Sequence, residues 1–192
     1  MATTAFAKKL VDITQQQYAL HKNMDEAESK LCKQIQQYWT GLGFTFTSCV
    51  AVPWSAVFVS WCLKQAGATA EEFRFAQSHS KFVYAAIANA QQNRGVFRGR
   101  QITEYAPKLG DILHNNRGGN TFTYAYAKAH EGYESHSAIV IEVGEDNKGK
   151  YALTIGGNEG DSIRVKEIRL DKNGFVKQRT ANPFISIIEN LK

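Results

Sequence analysis

The chain has 192 residues, 43% of them hydrophobic, and a formal net charge of +5. That length and apolar content support one domain with a real core, and no apolar run approaches the length of a membrane span. The excess of Lys and Arg is scattered, so it suits an anionic partner or an ordinary soluble surface. It lacks the interleaving of basic and aromatic residues that a nucleic-acid-tracking groove needs.

In chain order, residues 4–21 place Phe6, Leu10, Ile13 and Tyr18 along one helical face, which predicts a first helix. Asn23 is the expected N-cap of a second, whose stripe runs through Leu31, Ile35, Tyr38 and Trp39 until Gly41 and Gly43. Residues 45–52 read as loop. Pro53 then starts a third helix, with Trp54, Val57, Phe58, Trp61 and Cys62 on its buried face and Gly67 at its end. Ser55 falls in its first turn, at the edge of that face. Residues 78–90 predict a fourth helix.

Strands follow. Pro107 to His114 reads as a turn into a strand, 138–143 as a buried strand, 151–155 as its hairpin neighbour across 145–150, and 163–170 and 184–188 as two more. Helices first and antiparallel strands afterwards predict an α+β class. The boundaries expected are a helical pair at 1–44 and a hydrolase core at 45–192, within a single domain. The 115–120 loop is a lid or an exposed connection.

The chemistry concentrates in three places. Ser55 sits where unpaired first-turn N–H groups can stabilise an oxyanion, His136 opens an apolar strand, and Asn158 closes the next one. A serine hydroxyl needs an imidazole as base and a third group to fix its tautomer, so Ser55, His136 and Asn158 form the candidate triad. The bland alternative makes Ser55 a helix-capping hydroxyl and Asn158 a turn residue. Cys49 is a rival nucleophile, while Cys32 and Cys62 read as packing. Three cysteines without a C-x-x-C suggest neither a disulfide framework nor a zinc cluster, and a reducing compartment of synthesis is the simpler expectation. Asp111 reads as a structural residue where a strand begins, and His21, His114 and His130 as surface or strand-end residues. No metal site is expected.

Residues 53–67, Pro-Trp-Ser-Ala-Val-Phe-Val-Ser-Trp-Cys-Leu-Lys-Gln-Ala-Gly, resemble the nucleophile helix of the CHAP and NlpC-like peptidoglycan hydrolases. Gly110-Asp111-Ile112-Leu113, Ser135 to Val140 and Thr154 to Asn158 resemble that superfamily's Gly-Asp strand, catalytic His strand and Glu-Gly-Asn element, in the same order. The resemblance covers about residues 45–165. It implies a papain-like fold, with N-terminal helices packed on an antiparallel sheet, that cleaves amide bonds in bacterial peptidoglycan without a cofactor. It differs at two positions: Ser55 matches the nucleophilic cysteine and Gly156 matches the Glu. A true serine variant, an engineered Cys→Ser replacement and a site that binds without cutting all fit. The Pro-Trp-Ser-Ala segment is similar to a branch of the superfamily with serine at this place.

Trp54, His79 and Arg117 are the expected substrate contacts: His79, near the start of its helix, is placed to line the cleft, and Arg117 to grip a substrate carboxylate, its plainer reading being an exposed loop arginine. The N-terminus lacks the apolar core of a signal peptide. Together these predict a protein made in the cytoplasm that acts on the wall or periplasm of a target bacterium. A secreted antibacterial toxin with a secretion-apparatus carrier and an immunity protein fits, as does a phage lysis enzyme. The alternative function is a catalytically inactive cell-wall or protein-binding module.

Overall fold

The computed structural model describes residues 3–192. Helices α1 (Ala5–His21), α2 (Ser29–Gly41), α3 (Ser55–Ala66) and α4 (His79–Gln91) come first, and a short α5 (Tyr124–Ala129) interrupts the strands. The strands are β1 (Phe97–Arg100), β2 (Ile112–Asn116), β3 (Ser135–Asp146), β4 (Gly149–Gly156), β5 (Arg164–Arg169) and β6 (Phe184–Asn190). They form one antiparallel sheet in the order β1-β6-β2-β3-β4-β5, so the class is α+β.

Alternation along the strands divides the side chains between two faces. Ile112, Ile139, Ile155, Ile185 and Ile188 join the helical core with Leu10, Leu31, Phe58 and Phe82. Leu113, Val140, Ala152, Ile168 and Ile187 make a smaller cluster on the opposite face, under Ile102, Leu170 and Val176. α1 and α2 both pack on α3, so residues from both sides of position 45 share the first core.

Local signals explain most boundaries. Thr4 caps α1 by accepting from the Ala7 N–H at 3.1 Å. Gly67 adopts φ 109° and closes α3, a conformation that favours glycine. Asn23 is not the cap of α2, because the Asp25 and Glu28 side chains take the N–H groups of Ala27 (2.9 Å) and Asp25 (2.8 Å) into a turn. That competition delays the helix to Ser29. β1 and α5 carry little pattern of their own. β1 is four residues long, and it is tied to β6 by Arg100, whose Nε donates to Glu189 Oε2 at 2.7 Å.

The cysteines correct the sequence reading. Cys32 on α2 and Cys49 in the following loop form a disulfide, with Cα atoms 5.4 Å apart. Cys49 is therefore no free nucleophile, and Cys32 is not simply a packing thiol. Only Cys62 is reduced among the described residues, and burial pushes its thiol up to about 12. Two histidines are also inside rather than at the surface. His21 is buried with Nδ1 on the Gln17 carbonyl at 3.0 Å. His114 lies under the sheet's helical face, with Nδ1 2.8 Å from Ser137 Oγ and Nε2 3.1 Å from Tyr133 Oη. His130 is exposed as expected.

Candidate active site

The first residues of two helices meet here. Ser55 opens α3 after Pro53 and Trp54, so the N–H groups of its first turn point past it without intrahelical partners. His79 opens α4, and its Nε2 stands 2.7 Å from Ser55 Oγ. Both side chains are buried, Ser55 at 2% and His79 at 4% exposure. Burial above all, then the charges of His136, His114 and Arg117, hold the His79 imidazole well below its usual range. The ring is thus neutral near pH 7. It accepts the Ser55 proton when its own hydrogen is on Nδ1, and donates to Ser55 in the other tautomer. Nδ1 has no hydrogen-bond partner among the described residues.

A second pair abuts the first. The His136 ring, near the start of β3, lies edge-on to His79 with centroids 5.2 Å apart. Its Nε2 is 2.6 Å from Glu159 Oε1. Burial pushes the Glu159 carboxyl up, but His136 and Lys166 outweigh it and hold the group below the ordinary carboxylate range. Lys166 Nζ is 2.8 Å from Oε2, an ion pair approached from outside the hydrogen-bonding direction. Bonds to the backbone fix the loop that carries Glu159: the Glu159 N–H donates to the Ser162 carbonyl at 2.9 Å, and Arg164 Nε donates to the Glu159 carbonyl at 2.8 Å. Glu159 thereby anchors the His136 ring through Nε2.

Ser55, His79 and His136 therefore come together, whereas Asn158 takes a different part. Its Nδ2 donates to Glu26 Oε2 at 2.6 Å, so the group on the imidazole is the next residue, Glu159. Trp54 is not a substrate contact. It is fully buried and donates from Nε1 to the same Glu26 oxygen at 2.8 Å. Glu26 thus ties the turn before α2 to both the start of α3 and the Asn158 loop. Burial raises its carboxyl pKa, and the bonds from Trp54 and Asn158 work against that rise.

A cavity of about 430 Å³ opens beside the second pair, lined among others by Asn115, Arg117, His136, Glu159, Lys166 and Arg179. Arg117 stands at its edge, with Nε 3.8 Å from Glu134. Ser55 and His79 lie outside the lining. Asp111 is structural, accepting from the N–H groups of Lys108 (2.7 Å) and Asn190 (2.9 Å). Among the described residues, no group of three or more His, Cys, Asp or Glu side chains could hold a metal ion. What the arrangement offers chemically is a hydroxyl bonded to a neutral imidazole, a carboxylate-anchored imidazole beside it, and helix N–H groups at the hydroxyl. Those are the parts that acyl transfer uses.

No helix among the described residues is long and apolar enough to cross a membrane. Searches of curated proteins and of solved structures give no match to the chain. The family model described as "Uncharacterized protein conserved in bacteria (DUF2272)" matches residues 13–186, which include Ser55, His79, His136 and Glu159. With most of its length inside that match, the chain belongs to the DUF2272 family.

Proposed function

We propose that the protein is a papain-like hydrolase that cleaves an amide bond of bacterial peptidoglycan through Ser55. The observation that carries this reading is the 2.7 Å contact between Ser55 Oγ and neutral His79, set against the anchored His136–Glu159 pair. Ser55 Oγ attacks the carbonyl carbon, and its proton passes to the imidazole pair. The N–H groups at the start of α3 take the developing oxyanion. The protonated imidazole returns the proton to the leaving amine, and water then releases the acyl group by the same route. No cofactor enters these steps. Support for the papain-like arrangement comes from the order of parts: a nucleophile-bearing helix, then the His strand, then its neighbour leading to the third group. The Cys32–Cys49 bond supports action in an oxidising compartment outside the cytoplasm.

The test is mass spectrometry of muropeptides released from purified sacculi. Parent protein releases fragments, whereas Ser55→Ala loses on the order of 10⁴-fold or more. His79→Ala and His136→Ala each lose about 10²–10⁴-fold. One observation favours a second reading, a wall-binding module without turnover: Ser55 is 2% exposed and lies outside the cavity lining. Sacculi that retain the parent protein, release nothing, and retain Ser55→Ala equally well select that alternative.

A further inference from the structure

We propose that the cavity beside His136 is a carboxylate subsite, in which Arg117 and Arg179 hold the free carboxylate of a peptide substrate. The inference rests on the hydrolase reading and names the class of substrate, a peptide that carries an unblocked carboxylate near the bond presented to His136.

The charge inventory of the cavity carries it. The walls supply three cations, Arg117, Lys166 and Arg179, and one acid, Glu159. Glu159 is already committed to His136 at 2.6 Å and to Lys166 at 2.8 Å. Among the described residues Arg117 has only Glu134, itself well exposed, at 3.8 Å, well beyond the roughly 2.7–2.9 Å of a charge-assisted hydrogen bond. Arg179 is held in place without being neutralised. Its guanidinium lies 4.3 Å over the Phe184 ring, and its Nε donates to the Asn182 carbonyl at 3.1 Å. Its two Nη groups make no hydrogen bond or ion pair among the described residues. Two guanidinium groups on the rim of a polar cavity, neither hydrogen-bonded to a carboxylate among the described residues, match a planar, two-oxygen anion, which a carboxylate is. The Asn115 side chain lies on the same wall, opposite His136 in the β2–β3 register, and offers a neutral contact for the peptide backbone.

The experiment uses full-length Ser55→Ala protein, which cannot turn substrate over. N-acetyl-alanyl-alanine and its C-terminal amide are titrated separately, and binding is followed by NMR of the His136 imidazole. The acid binds about tenfold or more tighter than the amide, and Arg117→Gln or Arg179→Gln each removes about tenfold of that affinity. Unfolding curves matching that of Ser55→Ala show that the glutamine variants are folded. Equal binding of acid and amide, an acid that leaves the His136 signals unmoved at millimolar concentration, or glutamine variants that bind as Ser55→Ala does would overturn the subsite. Binding is read without catalysis, so a failed sacculus digestion with acid-selective binding rejects the hydrolase reading alone. Digestion without acid selectivity rejects the subsite alone.

Discussion

Replacing Gly156 with alanine drives a methyl group into the contact between His136 and Glu159. A Cβ at this position would stand 2.4 Å from Glu159 Oε1 and 2.9 Å from His136 Nε2. Gly156 is absent from the positive-φ glycines, so alanine meets no backbone strain there and the collision is purely steric. One of the two polar groups has to withdraw. Overpacking costs about 1–3 kcal/mol, and losing the charge-assisted hydrogen bond costs about 1.5–3 kcal/mol. Both groups border the cavity, which leaves room for the displaced one, so the sum should fall near the lower ends, about 2–3 kcal/mol. Urea unfolding reads that loss, imidazole NMR reads the broken His136 Nε2 bond, and, under the proposed function, muropeptide release should drop about 10²-fold from misplacement of the ring. Gly157→Ala is the control. Its Cβ would stand 2.6 Å from the Trp54 ring and 2.8 Å from Phe58 Cβ, so it strikes the core and should cost more stability. Gly156→Ala protein with parental stability to within about 0.5 kcal/mol and an unchanged His136 signal would refute the reasoning.

Three further outcomes follow from the same geometry. Reducing the Cys32–Cys49 bond, which spans 17 residues, should lower stability by about 3 kcal/mol in urea; Cys49→Ser protein should lose that stability while keeping the proposed hydrolysis under conditions where it stays folded. Burial pushes His114 down to about 3, so its contribution is complete above the unfolded pKa of about 6.5 and is lost as pH falls toward the folded value. In His114→Asn protein, the slope of stability against pH between those limits should be shallower than in the parent by about 1.4 kcal/mol per pH unit; parallel curves would show that the buried ring is not linked to acid unfolding. Burial pushes the Asp111 carboxyl up to about 7, yet both its oxygens accept backbone N–H bonds. Asp111→Asn turns an amide NH₂ toward one of those donors and should cost about 1–3 kcal/mol, measured by thermal or urea unfolding.

Helix α3 was legible because its signals agree: Pro53 ahead of it, apolar residues at helical spacing, and Gly67 after it. The strands of the central sheet were legible for the same reason, their β-branched runs being set off by turn residues. The partner of Ser55 was not. His79 lies on a different helix, and only the packing of α3 beside α4 brings the two first turns together. Glu159 was missed by one residue. The segment after β4 has no periodicity, and Asn158, Gly160 and Asp161 all take positive φ, so neither spacing nor alternation indicates which side chain turns back to the imidazole. Cys32 and Cys49 share no motif, and their proximity depends on the 42–54 loop folding back along α2. Trp54 was placed correctly on the apolar face by its spacing.

Glu26 sets where this protein can be shortened. A fragment beginning at residue 45 would keep every strand and α3, but it would strand the Trp54 indole N–H and the Asn158 amide without their shared acceptor and uncover the side of α3 that faces α1 and α2. Expression boundaries, fusion joints and circular permutation should therefore leave the first two helices attached, since the amino-terminal segment serves as one wall of the molecule rather than a detachable handle.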